Sequence, residues 1–160
     1  MKELVLIHIS PGRDSATLGE IENRITEICD KIKLDRSPAQ MSLYSTSEKE
    51  AVKALSLSVS NKLQLAIMGD WKAEFSLSDA ADSSSIFKSV NRVMNQLDQR
   101  ESGSVIMVTS NDLLSCFIGW WLRLPQEKWI EWEFILEPLG FHVLNINKSG
   151  DRSLYKYNEG

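Results

Sequence analysis

Short apolar runs alternate along this chain with longer segments in which apolar residues recur every three or four positions. The runs predict strands at residues 4–7, 41–44, 63–67 and 105–108. The periodic segments predict helices at residues 19–32, 51–55, 87–97 and 113–122. Near the end, 141–146 and 153–157 predict a β-hairpin around the turn Lys148-Ser149-Gly150-Asp151.

The order of these elements predicts an α/β protein. Residues 4–7 and 105–108 are continuously apolar, which is typical of strands buried on both faces of a parallel sheet. We therefore expect a single domain over 1–160, a three-layer α/β/α sandwich. Its sheet should be mostly parallel, with antiparallel edge strands and the closing hairpin. Residues 76–85, rich in Ser, Asp and Ala, predict a loop or a weak helical turn.

In such a fold, polar residues that follow parallel strands converge on one crevice. Helix N-termini beside those strand ends favour anions, because their backbone N–H groups are free and the helix dipole is positive there. The predicted anion-binding residues at this edge are His8, Ser10, Arg13, Ser45, Thr46, Ser110 and Asn111. No glycine-rich phosphate loop is present in the sequence.

Catalytic groups are sparse at this edge. Ser10 or Ser110 would need a histidine base to act as a nucleophile, and His8 is the only one nearby. Asp70 or Glu74 could supply a general acid, although such residues more often cap helices or solvate loops. The alternative for His8 is a structural role, with its ring satisfied by the backbone. His142 falls in the hairpin, away from the crevice, and is expected to be structural.

Composition narrows the function. The 160 residues carry a formal net charge of -4, which argues against nucleic acid as a partner. The two His and two Cys have no short ligand spacing, so no metal and no cofactor are expected, and Cys29 and Cys116 are interpreted as buried reduced thiols. No leader and no apolar stretch of membrane-spanning length are present in the sequence, which predicts a cytoplasmic protein without membrane contact.

Four of the five tryptophans crowd one segment, at Trp120, Trp121, Trp129 and Trp132. Adjacent helical side chains point about 100° apart, so one of Trp120 and Trp121 should lie near the edge of the packed face. The segment is either core and cover for the last helix or an interface, because Trp is common at binding hot spots.

The order and spacing of the elements resemble the histidine phosphatase superfamily, the phosphoglycerate-mutase-like fold, and within it the small phosphohistidine-phosphatase-like branch. Residues 1–7 are similar to its first strand, and 19–32 to its first helix. Residues 41–55 are similar to its second strand and helix. Residues 105–122 resemble its late strand and buried helix, and 141–157 its closing hairpin. The resemblance implies a phosphohistidine phosphatase or phosphomonoesterase.

The family's catalytic residues are absent from the matching positions. The resemblance implies an Arg-His-Gly triplet after the first strand, where this chain has His8-Ile9-Ser10, so Ile stands at the nucleophile's place. A shift by one residue places His8 there, with Ile at both flanks. The second Arg is missing from 45–50, where Lys49 is the only cation, and Ser110 stands where the second His is expected. The phosphoryl clamp, usually the largest catalytic contribution, is thereby lost.

The sequence thus predicts a catalytically inactive, pseudophosphatase-like domain with a role in protein interaction or regulation. Its partner would be another protein or a second copy of the chain. One alternative is a pocket that binds a phosphate-bearing small ligand without turnover. Another is a weak or altered phosphatase that uses His8.

Overall fold

A computed structural model of the chain describes residues 1–9, 18–47, 49–71, 75, 83–129 and 139–159. The strands are β1 (Glu3–Ile9), β2 (Met41–Ser45), β3 (Ile67–Asp70), β4 (Ser104–Ser110), β5 (Leu139–Ile146) and β6 (Arg152–Glu159). The helices are α1 (Leu18–Leu34), α2 (Glu50–Leu63), α3 (Ser83–Arg100) and α4 (Asn111–Trp121). Short 3-10 helices cover Pro38–Gln40 and Gln126–Lys128.

The strands form one sheet in the order β3-β2-β4-β1-β5-β6. The first four strands in this order are parallel to one another, whereas β5 is antiparallel to β1 and β6 to β5. This arrangement confirms the predicted α/β fold with a mostly parallel sheet and a C-terminal hairpin. The hairpin turn lies at Asn147–Asp151, where Asn147 N–H donates to Asp151 O at 2.7 Å.

Two apolar layers enclose the sheet, because successive side chains of a strand point to opposite faces. Leu4 and Leu6 of β1 pack with α3 and α4, whereas Val5 and Ile7 pack with α1 and α2. All four side chains are buried, as the continuously apolar run predicts. Cys29 and Cys116 are buried free thiols in these layers, and burial raises the pKa of each to about 11, so the buried-thiol interpretation is confirmed.

The strand predicted at 63–67 is displaced. Helix α2 continues through Leu63, which is buried beside Val59, and Gln64 then ends the helix in the left-handed conformation with φ 55°. Strand β3 begins only at Ile67. The apolar side chains at 52, 55, 59 and 63 follow helical spacing. Leu63 therefore continues the apolar face of α2 and does not begin a strand.

The start of α3 also differs from the prediction, whereas the end of α4 agrees with it to within one residue. Residues 83–85 belong to α3, so they are helical, whereas 76–82 lie outside the described residues. Helix α4 ends at Trp121, before Pro125, and the turn that closes it is made by backbone hydrogen bonds described below. Among the described residues, no helix is both long and apolar enough to cross a bilayer.

Candidate functional site

Strands β1, β2 and β4 end at the same edge of the sheet, and their last residues form a strand-end site. His8 lies opposite Thr109 in the β1–β4 register, and Ile9 lies opposite Ser110. Ser45 lies opposite Val108, and Thr46 N–H continues the pairing by donating to Val108 O at 3.1 Å. The structure therefore brings His8, Ser45, Thr46 and Ser110 to one edge, because parallel strands place their carboxyl ends side by side.

His8 forms a buried pair with His142. Nε2 of His142 lies 3.1 Å from Nδ1 of His8, and the two ring centroids are 5.0 Å apart. Both side chains are fully buried. Burial, and then the neighbouring His8, lowers the pKa of His142 to about 3, so His142 is neutral at pH 7.

The prediction that His142 lies away from the strand-end site is wrong. Strand β5 does not lie at the far edge of the sheet but pairs with β1, so His142 comes opposite Leu6 and Gly140 comes opposite His8. These four residues share one face of the sheet, because residues two apart on a strand point the same way. Gly140 carries no side chain, so the space opposite His8 is open to the His142 ring.

A chain of serine hydroxyls runs inward from this edge. Ser56 Oγ donates to Val52 O at 2.7 Å, and its hydrogen is therefore committed. Ser45 must then donate to Ser56, at 2.6 Å, and Ser47 must donate to Ser45, at 2.9 Å, because each hydroxyl has a single hydrogen. Ser45 has no proton left for an anion in this arrangement, which argues against its predicted role.

Thr46 also directs its donors into the protein. Its side chain is fully buried, and its hydroxyl donates to Thr109 Oγ1 at 3.3 Å. Together with the backbone bond to Val108, this uses the N–H and the hydroxyl hydrogen of Thr46 within the fold. The predicted anion-binding role of Thr46 is likewise not supported by its contacts.

Ser110 and Asn111 differ from these residues at the start of α4. Ser110 occupies the N-cap position, yet its side chain makes no capping hydrogen bond. Ser110 is 1% exposed, and within the described part of the chain neither its Oγ nor Asn111 Oδ1 has a hydrogen-bond partner. An unpartnered buried hydroxyl beside free helix N–H groups is suited to an oxyanion.

Charged residues border the site in pairs. Lys49 Nζ contacts Asp112 Oδ2. Arg24 of α1, which the sequence analysis missed, donates from Nε to Leu139 O at 3.2 Å, and Leu139 lies opposite Ile9 in the β1–β5 register. Its Nη1 is 4.0 Å from Glu27. The only sequence signal for Arg24 was its place in the first helix, which does not reveal that the side chain reaches β5.

Some predicted site residues cannot be placed. Ser10, Arg13, Glu74 and Trp132, together with the side chain of Asp70, lie outside the described residues. Within the described ranges, no group of three or more His, Cys, Asp or Glu side chains could hold a metal ion.

The described tryptophans of the crowded segment lie at the opposite end of α4. Trp121 is fully buried and donates from Nε1 to Asn145 O at 3.1 Å, whereas Trp120 is half-buried, so the expected difference between these neighbours is confirmed. Trp129 is also buried, and its Nε1 donates to Leu124 O at 2.9 Å. It lies against Gly119, where a Cβ would come within 2.4 Å of Trp129 Cδ1. Burial contradicts the interface prediction for Trp121 and Trp129 and leaves Trp120 as its candidate.

Solved structures with very different sequences share this architecture. A mycobacterial glucosyl-3-phosphoglycerate phosphatase is similar with a TM-score of 0.67 at 11% identity, over 100% of this chain and 100% of that chain. A phosphoserine phosphatase from Entamoeba histolytica, in complex with 3-phosphoglyceric acid, gives 0.63 at 16% identity, over 100% and 98%. Phosphoglycerate mutase from Plasmodium falciparum gives 0.58 at 13% identity, over 98% and 91%.

At the level of sequence, no protein-family model matches the chain, and no curated protein is significantly similar to it. The likeness to the solved structures nevertheless extends over nearly the whole of each chain. The protein therefore has the α/β fold of the histidine phosphatases and phosphoglycerate mutases, as the sequence resemblance implied.

Proposed function

We propose that this protein is a non-catalytic domain with the histidine phosphatase fold, which binds a phosphate-bearing small ligand at the strand-end site without turning it over. The state of His8 carries the proposal. A histidine that attacks phosphorus needs a ring nitrogen that reaches the substrate, but the side chain of His8 has no exposed surface.

The neighbouring groups in the described part of the chain add little catalytic power. His142 is neutral, since burial keeps the pKa of its ring near 3, so it cannot stabilise phosphoryl charge as an imidazolium. Lys49 and Arg24 each have a carboxylate beside them, Asp112 and Glu27 respectively. Because stabilisation of the transferring phosphoryl group is usually the largest catalytic contribution, turnover is not expected.

Binding without turnover is supported at Ser110. Its unpartnered hydroxyl lies at the N-terminus of the eleven-residue helix α4, where backbone N–H groups and the helix dipole favour an anion. The phosphatases and the mutase with this fold are named for phosphorylated compounds, which makes a phosphate monoester the ligand class to test.

A phosphate-bearing ligand is favoured over a protein partner by the described surface. Its large exposed apolar side chains are on four different elements, at Leu34, Leu57, Met68 and Ile146. Single exposed apolar residues are ordinary on monomeric proteins and do not make an interface. Light scattering tests this choice: a monomer is expected, and a stable dimer would favour the interaction role.

Turnover is tested with an aryl phosphate and with 3-phosphoglycerate as substrates. We expect no release of phosphate above the buffer rate from either the natural protein or His8→Ala. Activity in the natural protein that disappears in His8→Ala would overturn the proposal and support the alternative of an altered phosphatase that uses His8.

Binding is tested by thermal unfolding with millimolar 3-phosphoglycerate and inorganic phosphate against chloride at equal ionic strength. A ligand that prefers the folded state raises the melting temperature, and we expect this increase to be reduced in Ser110→Ala. Ser102→Ala is the matched control, because Ser102 is exposed in the turn before β4. No increase with either anion, or an increase unchanged in Ser110→Ala, would contradict binding at this site.

A further inference from the structure

A cleft of about 430 Å³ lies at the other end of α4, between α3, the turn after α4 and the start of β6. Its lining includes Asn91, Asn95, Trp120, Arg123, Gln126 and Arg152. Ten residues separate Trp120 from Ser110, which is about 15 Å along the helix axis. The cleft is therefore a different place from the strand-end site.

Arg152 is fixed in this cleft with unused hydrogen-bonding capacity. Its guanidinium carbon lies 4.5 Å from the ring centroid of Trp121 and 5.1 Å from that of Trp120. The side chain is only 12% exposed, and its Nη2 lies 3.5 Å from Asp98 Oδ2. Its Nη1 is buried and has no hydrogen-bond partner among the described residues. A buried donor without an acceptor is uncommon in native proteins and points to an acceptor that is missing.

Arg123 brings a second cation to the same cleft in an unusual backbone conformation. Leu124 N–H donates to Gly119 O and Arg123 N–H donates to Trp120 O, the two hydrogen bonds of a Schellman turn. The residue between helix and turn is usually glycine, because its φ is positive, yet Arg123 occupies it with φ 58°. Backbone strain of this kind clusters at functional sites.

The charges in the cleft do not balance. Among the described residues that line it, there are two guanidinium groups and one carboxylate, that of Asp98, whose Oδ1 is also 3.5 Å from the amino group of Met1. Burial holds the pKa of Arg152 below its usual range; the carboxylate of Asp98 opposes this shift, and Arg123, as a like charge, adds to it. This local positive excess stands out in a chain with a net charge of -4.

We propose that the cleft binds a small organic carboxylate whose body carries hydroxyl or amide groups. The planar guanidiniums of Arg152 and Arg123 match a carboxylate, and Trp120 offers a flat surface to the rest of the molecule. The carboxamides of Asn91, Asn95 and Gln126 can both donate and accept hydrogen bonds to its polar groups. A single excess positive charge suits a monoanion better than a phosphate monoester, which is largely a dianion at pH 7.

The test uses the indole N–H signals of the five tryptophans in ¹H–¹⁵N NMR spectra, with that of Trp120 assigned by its loss in Trp120→Phe. Two probe pairs separate charge from shape: gluconate against sorbitol, and N-acetylglycine against N-acetylglycinamide. We expect saturable, millimolar shifts of the Trp120 signal with a carboxylate and none with its neutral analogue. No saturable shift with either acid, or equal shifts with the neutral analogues, would overturn the proposal.

Arg123→Gly separates binding from folding, because glycine relieves the positive φ while removing the cation. We expect roughly tenfold weaker carboxylate binding, the equivalent of one charge-assisted hydrogen bond, with an unchanged or higher melting temperature. Lys53→Ala, on α2 across the sheet, is the charge-matched control and should bind as the natural protein does. Undiminished binding by Arg123→Gly would overturn the assignment.

Inorganic phosphate and Ser110→Ala distinguish this cleft from the strand-end site. We expect phosphate to leave the Trp120 signal in place and Ser110→Ala to retain carboxylate binding at the cleft. Phosphate that binds at Trp120 as tightly as the carboxylates would overturn the choice of a monoanion. Loss of carboxylate binding in Ser110→Ala would overturn the independence of the two sites.

Discussion

The two ends of α4 provide opposite surroundings for an anion. At the N-terminus, His8 lies against the neutral ring of His142, the hydroxyls of Ser45 and Ser56 are bonded to each other, and Lys49 and Arg24 have carboxylate partners. At the C-terminus, Arg152 and Arg123 line one cleft, in which Asp98 is the only carboxylate among the described lining residues. Among the described residues, the charged side chains near the N-terminus of α4 are paired, whereas a guanidinium nitrogen without a hydrogen-bond partner lies near its C-terminus.

The largest expected difference concerns Trp121 and Trp120, which are adjacent in sequence. Trp121→Ala should lower the free energy of unfolding by roughly 3–5 kcal/mol, because it leaves a cavity at a fully buried position and removes the aromatic ring that Arg152 stacks on. Trp120→Ala should cost about 1 kcal/mol, a typical value for a point substitution, because Trp120 is half-buried. Urea unfolding measures both, and equal losses would contradict the division between core and cleft.

Acid should destabilise the strand-end site through His142. Its pKa is about 3 in the folded protein against 6.5 in the unfolded chain, so the unfolded chain binds the proton more tightly. The contribution of neutral His142 to the free energy of unfolding is therefore fully present above pH 6.5, and it is lost as the pH falls from there toward about 3. At about pH 5 the loss is about 2 kcal/mol, at about 1.4 kcal/mol for each pH unit.

The variant His142→Gln isolates this contribution, because a carboxamide can either donate to His8 Nδ1 or accept from it but does not titrate. We expect its free energy of unfolding to fall less than that of the natural protein between about pH 7 and 5, by the same 2 kcal/mol, in order of magnitude. Parallel pH profiles of the two proteins would show that the buried histidine pair does not make the fold sensitive to acid.

A smaller effect is expected from the serine chain. Ser56→Ala removes the donor to Val52 O and the acceptor for Ser45, and the lost hydrogen bonds should cost about 1 kcal/mol. Chemical unfolding measures this loss. A neutral result would mean that the hydroxyl chain from Ser47 to Val52 does not hold the end of β2 to α2.

The smallest effect is expected at Ser110. An N-cap Ser→Ala substitution usually costs about 1 kcal/mol because a capping hydrogen bond is lost, but Ser110 makes none. Ser110→Ala should therefore change the free energy of unfolding by less than about 0.5 kcal/mol in the absence of anions. A full N-cap loss in the same unfolding measurement would mean that Ser110 caps α4 in solution, which would weaken its assignment to a ligand.

The sequence predicts much of the fold because the patterns are local. The apolar runs in β1 and β4 and the helical period of α1 and α3 each reflect one element's own faces, so they can be found without knowing the neighbours. The error at 63–67 occurred where two periods overlap, since Leu63 satisfies both a helical face and a short apolar run. In the folded protein Leu63 is buried as part of the apolar face of α2, so the helical period applies.

The site is less predictable, because its chemistry depends on pairings between distant segments. His8 and His142 are 134 positions apart, and only the antiparallel pairing of β5 with β1 makes them neighbours. Arg24 reaches Leu139 from 115 positions away. No spacing rule connects such residues, since strand order in a sheet depends on which faces bury most surface and not on proximity in the chain.

The sequence by itself determined the α/β alternation and the edge of the sheet at which strand-end residues collect. Only the tertiary structure decided which polar atoms remain available there. The hydroxyls of Ser45 and Thr46 donate hydrogen bonds within the protein, whereas that of Ser110 has no partner among the described residues. Arg123 and Arg152, which are distant in sequence, line the same cleft. The physical reason is that availability for a ligand is set by hydrogen bonds and charges contributed by other elements, which residue types alone do not specify.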